Sequence, residues 1–216
     1  MFKEYKGKII LTSVITLVPI LLGLLLWNKL PDQIPTHWNA EGVIDGWSSK
    51  AFAVFALPGI LVFFHLLCVL ASSMDPKRKN YSGKLLGIVF WICPVISLVM
   101  MGVMYGTALG MKLKVDVIML VLVGVTFLVV GNYMPKCKQN YTMGIKIPWT
   151  LNDEENWNYT HRFAGKLWMA SGLLVLVSIF LPTSAMVVIL MIVLFGSVII
   201  PVIASYRFYK KKDSRS

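Results

Sequence analysis

An all-α bundle of membrane-crossing helices is the fold class that this sequence predicts, and three observations predict it. Of 216 residues, 57% are hydrophobic and 14% charged, whereas an ordinary soluble domain carries about 25% charge. The apolar residues are gathered into blocks of about 18 or more that are almost free of charge, the pattern of membrane spans. No block alternates in polarity as the roughly ten-residue strands of an outer-membrane barrel do. A standard soluble enzyme is excluded.

Six blocks follow in order: 9–30, 51–73, 85–110, 117–134, 163–181 and 185–206. At about 1.5 Å of rise per residue each can cross a hydrocarbon core of about 30 Å, and the longest needs tilt or a kink. The first block ends Leu26-Trp27-Asn28-Lys29-Leu30, with no small-residue cleavage site, so it is read as a mature helix and not a secretory signal. Pro19, Pro58, Pro94 and Pro201 sit inside four blocks. They are compatible with helix where a neighbouring helix or a hydroxyl satisfies the freed carbonyl. Gly102, Gly106 and Gly110 recur every four residues in the third block, which predicts a close helix contact, within one chain or between two. The whole of 1–216 reads as one six-helix membrane domain.

Orientation follows from the basic residues, because cytoplasmic loops retain the excess of Lys and Arg. Seventeen of the 21 fall in four regions: the amino terminus (Lys3, Lys6, Lys8), the loop after the second block (Lys77, Arg78, Lys79, Lys84), the stretch 135–166 and the tail from Arg207 to Arg215. Both termini are therefore expected in the cytoplasm, the 31–50 loop outside and the 135–162 loop inside. The net charge of +11 suits basic flanks against anionic headgroups, each worth about 1 kcal/mol near the surface. No basic stripe interleaved with aromatics points to direct nucleic-acid binding.

All ten acids lie outside the apolar blocks or at their edges, so the acids that mark a proton or ion pathway at membrane depth are missing. His65 is the exception at membrane depth; it reads either as a proton-responsive or ligand site or as a neutral imidazole bonded to a neighbouring helix. His37, His65 and His161 fall at different depths and cannot share one ion, and no HExxH or paired CxxC is present. No catalytic residue, metal or cofactor is expected. Cys68, Cys93 and Cys137 have no paired spacing and read as small apolar fillers.

Two loops hold the unusual chemistry. In the outer one, Pro31, Pro35, Asn39, Gly42 and the Asp45-Gly46 pair are turn formers that predict a looped or hairpin-like cap. Its Trp38 and Trp47 read as grips on an apolar ligand or as headgroup-level anchors. In the inner loop, Pro148 forces Ile147 towards an extended conformation. Asn152 followed by Glu155 makes a capping-box pattern, so a helix should start at Asn152 or Asp153, with acids at the positive end of its dipole, and run into the fifth block. Trp149 and Trp157 are expected at headgroup level, the stretch before the cap being non-helical. This elbow reads as a structural re-entry or as a docking surface for a cytosolic partner.

The string GNYMPKCKQNYTMGIKIPWTLNDEENWNYTHRFAG resembles the signature of the SdpI family of bacterial toxin-immunity membrane proteins. In that family a Gly-Asn pair ending a span is followed by Gly-x-Arg-Thr-Pro-Trp-Thr-Leu, a Trp and an Asn/His-Arg pair. Gly131, Asn132, Asn140, Gly144, Pro148, Trp149, Thr150, Leu151, Trp157, His161 and Arg162 match, while Lys146 and Ile147 depart from the usual Arg-Thr. Lysine keeps the charge and loses the planar two-pronged donor. The outer loop LPDQIPTHWNAEGVIDGWSSK is similar to the uncharacterised membrane domain that often precedes the signature.

The resemblance implies a multi-pass, non-enzymatic protein of the bacterial cytoplasmic membrane that protects the cell from a secreted peptide toxin and retains a cognate repressor at the membrane. On that reading Trp38, Asn39 and Trp47 meet the toxin. Lys146, Pro148, Trp149, Thr150, Asp153, Glu154, Glu155, Trp157, His161 and Arg162 form the cytoplasmic motif that docks the partner. The alternative from another class is a transporter or channel for a lipid or small amphiphile, with His65 and the kinked helices lining its path.

Overall fold

The computed structural model describes residues 2–214, with side chains from Glu4 onward. Arg215 and the Lys3 side chain, counted above among the basic flanks, lie outside the described residues. Helices α1 (Phe2–Leu25), α2 (Leu57–Met74), α3 (Gly83–Ala108), α4 (Val115–Tyr133), α5 (Pro148–Asn152), α6 (Glu154–Ser178) and α7 (Thr183–Asp213) account for most of the chain, and one two-stranded hairpin, β1 (Gln33–Trp38) and β2 (Ile44–Ser49), lies between α1 and α2. The predicted all-α class holds, with the hairpin as its one departure. Among the described residues, five helical stretches are long and apolar enough to cross a membrane: Glu4–Leu25, Phe52–Met74, Gly83–Ala108, Val115–Lys136 and Thr183–Asp213. The fifth predicted block, 163–181, is instead the apolar part of α6, whose first two turns are polar.

The chain divides into two compact units, 1–74 with 86–116, and 75–85 with 117–216. In the first unit the segment after α1, the hairpin, the turn leading into α2, and α3 share a core of Leu30, Ile34, Ala53, Val54, Met101, Met104 and Tyr105. Gly23 of α1 is required there, because a Cβ would fall 2.6 Å from the Tyr105 hydroxyl and 2.8 Å from Val54. That hydroxyl donates to the Pro19 carbonyl at 3.1 Å, and Ser97 donates to the Thr16 carbonyl at 2.7 Å. Buried hydroxyls thus bind α3 to α1 where lipid offers no water to satisfy them. A π turn, Phe52–Ala56, leads into α2. It sits just ahead of Pro58, which has no N–H to offer the carbonyl four residues back.

Among the described residues, the close contact expected at the α3 glycines is not formed within the chain. Gly102 and Gly110 have nothing within 4 Å of a built Cβ, and Gly106 meets only Leu113 and Met111 of the turn that follows its own helix. Gly110 has φ +86° and ends the helix: Met111 N–H donates to the Gly106 carbonyl at 2.9 Å and Gly110 N–H to that of Thr107 at 3.0 Å. This is a Schellman cap, in which glycine supplies the left-handed residue. Spacing alone could not separate a terminator from a packing face.

Close helix approach occurs in the second unit. A Cβ on Gly131 would lie 3.0 Å from the Gly165 carbonyl, and one on Gly172 would lie 2.7 Å from that of Gly124. The pairs 124/172 and 131/165 match the register of antiparallel α4 and α6. Beside them, Phe127 stacks on Trp168 at 4.7 Å between ring centroids. The Trp168 indole N–H donates to the Ser197 carbonyl at 3.0 Å. Ser197 is four residues before Pro201, so its carbonyl is the one that the proline leaves without a helical donor.

Candidate functional site

The outer loop is a twisted antiparallel hairpin with irregular register between Pro35 and Trp38. Asn39 makes its turn: the side-chain oxygen accepts the N–H groups of Glu41 at 3.1 Å and Val43 at 2.9 Å. Gly42 takes φ +74°, where a Cβ would be strained. Across the strands His37 Nδ1 meets Asp45 Oδ1 at 2.5 Å, and Thr36 pairs with Ser48 at 3.1 Å. At the base, Lys50 Nζ donates to the carbonyls of Trp27 (3.2 Å) and Leu30 (2.9 Å), pairs with Asp32 at 3.2 Å and lies 5.2 Å from the Trp27 ring centroid. Lys50 thereby closes the end of α1 onto the hairpin.

The predicted contact residues separate here. Trp38 is half-buried against the core of its unit, and the Asn39 carbonyl oxygen is occupied by the turn. Trp47 remains 55% exposed, with Val43 beside the turn at 59%, so the apolar surface presented by the hairpin is Trp47 and Val43.

The inner loop folds over Asp75, which sequence reasoning did not single out. Asp75 is buried, and its carboxylate accepts Lys77 N–H at 2.7 Å, Tyr81 hydroxyl at 2.5 Å, Tyr141 N–H at 2.9 Å and Thr142 hydroxyl at 2.8 Å. Burial alone would raise its pKa, but these donors outweigh it and hold the carboxyl below its ordinary value. The same burial and the neighbouring carboxylate raise the Tyr81 phenol. Gln139 ties the loop to the elbow: its amide N–H groups donate to the Thr150 and Leu151 carbonyls, each at 2.9 Å, and its oxygen accepts Lys77.

The elbow itself is built from the signature residues. Asn140 accepts the N–H groups of Thr142 (2.9 Å) and Met143 (2.6 Å). Gly144, at φ +106°, brings the backbone against the His161 ring, where a Cβ would collide. Ile145 N–H then donates to His161 Nε2 at 3.0 Å, while Nδ1 donates to the Trp157 carbonyl at 2.8 Å. An imidazole that accepts at one nitrogen is neutral. Desolvation pushes the His161 pKa down to about 4, the hydrogen bond to Trp157 opposing it. Trp157 is fully buried, stacks on His161 at 4.0 Å and donates its indole N–H to the Cys137 carbonyl at 2.7 Å. The Thr150 hydroxyl accepts Ile147 N–H at 3.1 Å and donates to the Ile145 carbonyl at 2.8 Å.

Two expectations change accordingly, and a third resolves to one of its two alternatives. Trp157 is not exposed to headgroups but is buried in a core with Leu85 and Cys137. The stretch before the cap is helical, since α5 begins at Pro148 after an extended Ile147 with φ −124° and ψ 157°. The cap of α6 is Asp153, whose side chain accepts Glu155 N–H at 2.9 Å, and not Asn152. Pro148 and Trp149 open α5, and Trp149 packs against Tyr206 at 5.4 Å and Tyr209 at 6.2 Å. Lys212 bridges Asp153 and Glu155 at 2.9 Å each, which raises the Lys212 pKa. Lys146 Nζ donates to the Thr142 carbonyl at 2.7 Å, and Glu154 and Arg162 remain exposed. In the other unit, His65 is fully buried and bonds Thr12 of α1 at 3.0 Å, the helix-to-helix bond that was one of its two readings.

Apolar helices of spanning length and polar chemistry gathered in a hairpin and an elbow define a multi-pass helical membrane protein. Residues 136–205 match the SdpI/YfhL protein family, and residues 14–62 match a domain of unknown function, DUF1648. The chain is similar to Immunity protein SdpI of Bacillus subtilis (strain 168), with 26% identity over 210 residues, covering 94% of this chain and 97% of that one. The segment that carries the elbow is thus the part of the chain that is similar to the SdpI/YfhL family. No solved structure matches.

Proposed function

We propose that this protein confers immunity to a secreted peptide toxin, and that it does so without catalysis. The observation that carries the reading is end-to-end similarity to a protein named for immunity, joined to an exposed Trp47 on a braced hairpin. Six crossings, α6 included, with both termini inside, put that hairpin at the outer surface where a secreted peptide arrives. A rigid indole offers such a peptide a large contact area at low entropic cost. The elbow lies on the cytoplasmic side, and its exposed rim, Lys146, Glu154 and Arg162, is the surface that a repressor would read, the buried motif holding that rim in shape.

Complementation tests this. Expressed in a Bacillus subtilis strain lacking its Immunity protein SdpI and grown beside the parent strain, the wild-type chain should restore survival. Trp47→Ala should lose at least tenfold in survivors at unchanged membrane abundance. Full survival of that variant refutes the hairpin contact, and failure of the wild-type chain refutes immunity to that toxin. Trp38 is unsuited to the test because it also packs in the core.

A further inference from the structure

Two basic residues in the first half of α6 share a setting that goes beyond the rim role given to Arg162. Arg162 and Lys166, one turn apart on α6, line a groove of about 580 Å³ with Glu155, Asn158, Tyr159, Phe163 and, from α7, Phe208. Both cations are exposed, and neither has an ion-pair partner among the described residues. The acid lining the groove, Glu155, is already held by Lys212 at 2.9 Å. One wall is the stacked pair Tyr159 and Phe208, 4.6 Å between centroids. Around Tyr159 and Phe208 a second recess carries Arg207 and Lys211. The field in the groove is therefore positive, and it is not cancelled locally.

Its depth is set by sequence. α6 is polar from Glu154 to Arg162 and turns apolar from Phe163, so Arg162 and Lys166 stand where hydrocarbon gives way to headgroups. We propose that this groove binds the phosphodiester of an anionic phospholipid headgroup, with Arg162 as a two-pronged donor, Lys166 as a point charge and the Tyr159–Phe208 wall against the glycerol and upper acyl chain. A guanidinium matches two phosphate oxygens at once, and an ammonium four residues on reaches the same anion along its apolar stem. A free phosphate ion offers the same oxygens, but it gains nothing from an aromatic wall continuous with an apolar helix face.

Native mass spectrometry of the full chain in detergent distinguishes these sources, with phosphatidylglycerol, phosphatidylcholine of the same acyl chains and inorganic phosphate as separate probes. Phosphatidylglycerol adducts should exceed phosphatidylcholine adducts at least fivefold and survive millimolar inorganic phosphate. Arg162→Ala with Lys166→Ala should cut them at least fivefold, whereas Lys79→Ala with Lys84→Ala, an equal loss of charge elsewhere, should change them less than twofold. Equal loss in both double variants means diffuse charge attraction and overturns the site. Displacement by inorganic phosphate overturns the lipid as its occupant, and equal phosphatidylcholine binding overturns anion recognition. If the first double variant loses its helical circular dichroism, Arg162→Gln alone is measured, and an unchanged adduct level in that folded variant refutes the proposal.

Discussion

In the hairpin the side chains richest in chemistry, His37, Asp45 and Trp47, stand in solvent, whereas in the elbow the comparable set, Asn140, Thr150, Trp157 and His161, is almost wholly buried. Both regions are dense in turn formers, tryptophan and histidine, and both contain a glycine at positive φ. They differ in where the hydrogen bonds go. The hairpin spends its bonds along two strands and one turn, leaving one face unspent. The elbow directs side chain after side chain into its own backbone, so that its most distinctive residues make its shape and only the rim is left to recognise anything.

That contrast can be broken most severely at Trp157. Trp157→Ala removes a fully buried indole and orphans the Cys137 carbonyl, and should cost about 3–5 kcal/mol. Thermal unfolding in detergent should show a large fall in midpoint; a shift of only a degree or two would mean that the elbow is not a packed core. The next largest effect is acid. His161 is neutral when folded, with its pKa lowered to about 4 from 6.5, so the unfolded chain binds more protons between those values. Elbow stability is then complete above about pH 6.5 and falls as pH drops towards 4, by roughly 3 kcal/mol in all. Asp75, also held below its ordinary value, adds a further loss once pH falls below the unfolded carboxylate range. Amide hydrogen exchange at Ile145 and Trp157 should accelerate across the first window, and pH-independent exchange chemistry after correction for intrinsic rates would contradict the buried neutral imidazole. The smallest effect is at Trp47: Trp47→Ala should alter stability by no more than about 0.5 kcal/mol. A larger drop would show that the hairpin face is structural after all.

Much of the fold was legible because lipid imposes a coarse rule: long apolar blocks become helices, and their ends attract charge. The hairpin was legible from its turn formers, and the start of α6 to within a residue from its acids. Asp75 was not, since an acid beside a proline at a span's edge looks like any solvated end; its four donors come from residues up to 67 positions away. The glycines that pack within the chain were hidden for a related reason. Gly102, Gly106 and Gly110 carry a familiar spacing on one helix, whereas Gly124, Gly131, Gly165 and Gly172 acquire meaning only when two helices are set side by side. Trp157 misled because an indole near a span's end suits the interface and a small polar-capped core equally well, and only the Cys137 carbonyl decides between them.

The two glycine pairs have a mechanical consequence. Because 124 faces 172 and 131 faces 165, a slide of α6 along α4 by even one residue would drive a side chain into backbone at both points at once. Seven residues of separation, about 10 Å of helix, turn two small gaps into a ratchet with a single tooth engaged. Since α6 runs unbroken from the elbow, the same two contacts oppose a piston-like stroke of the helix that carries the rim.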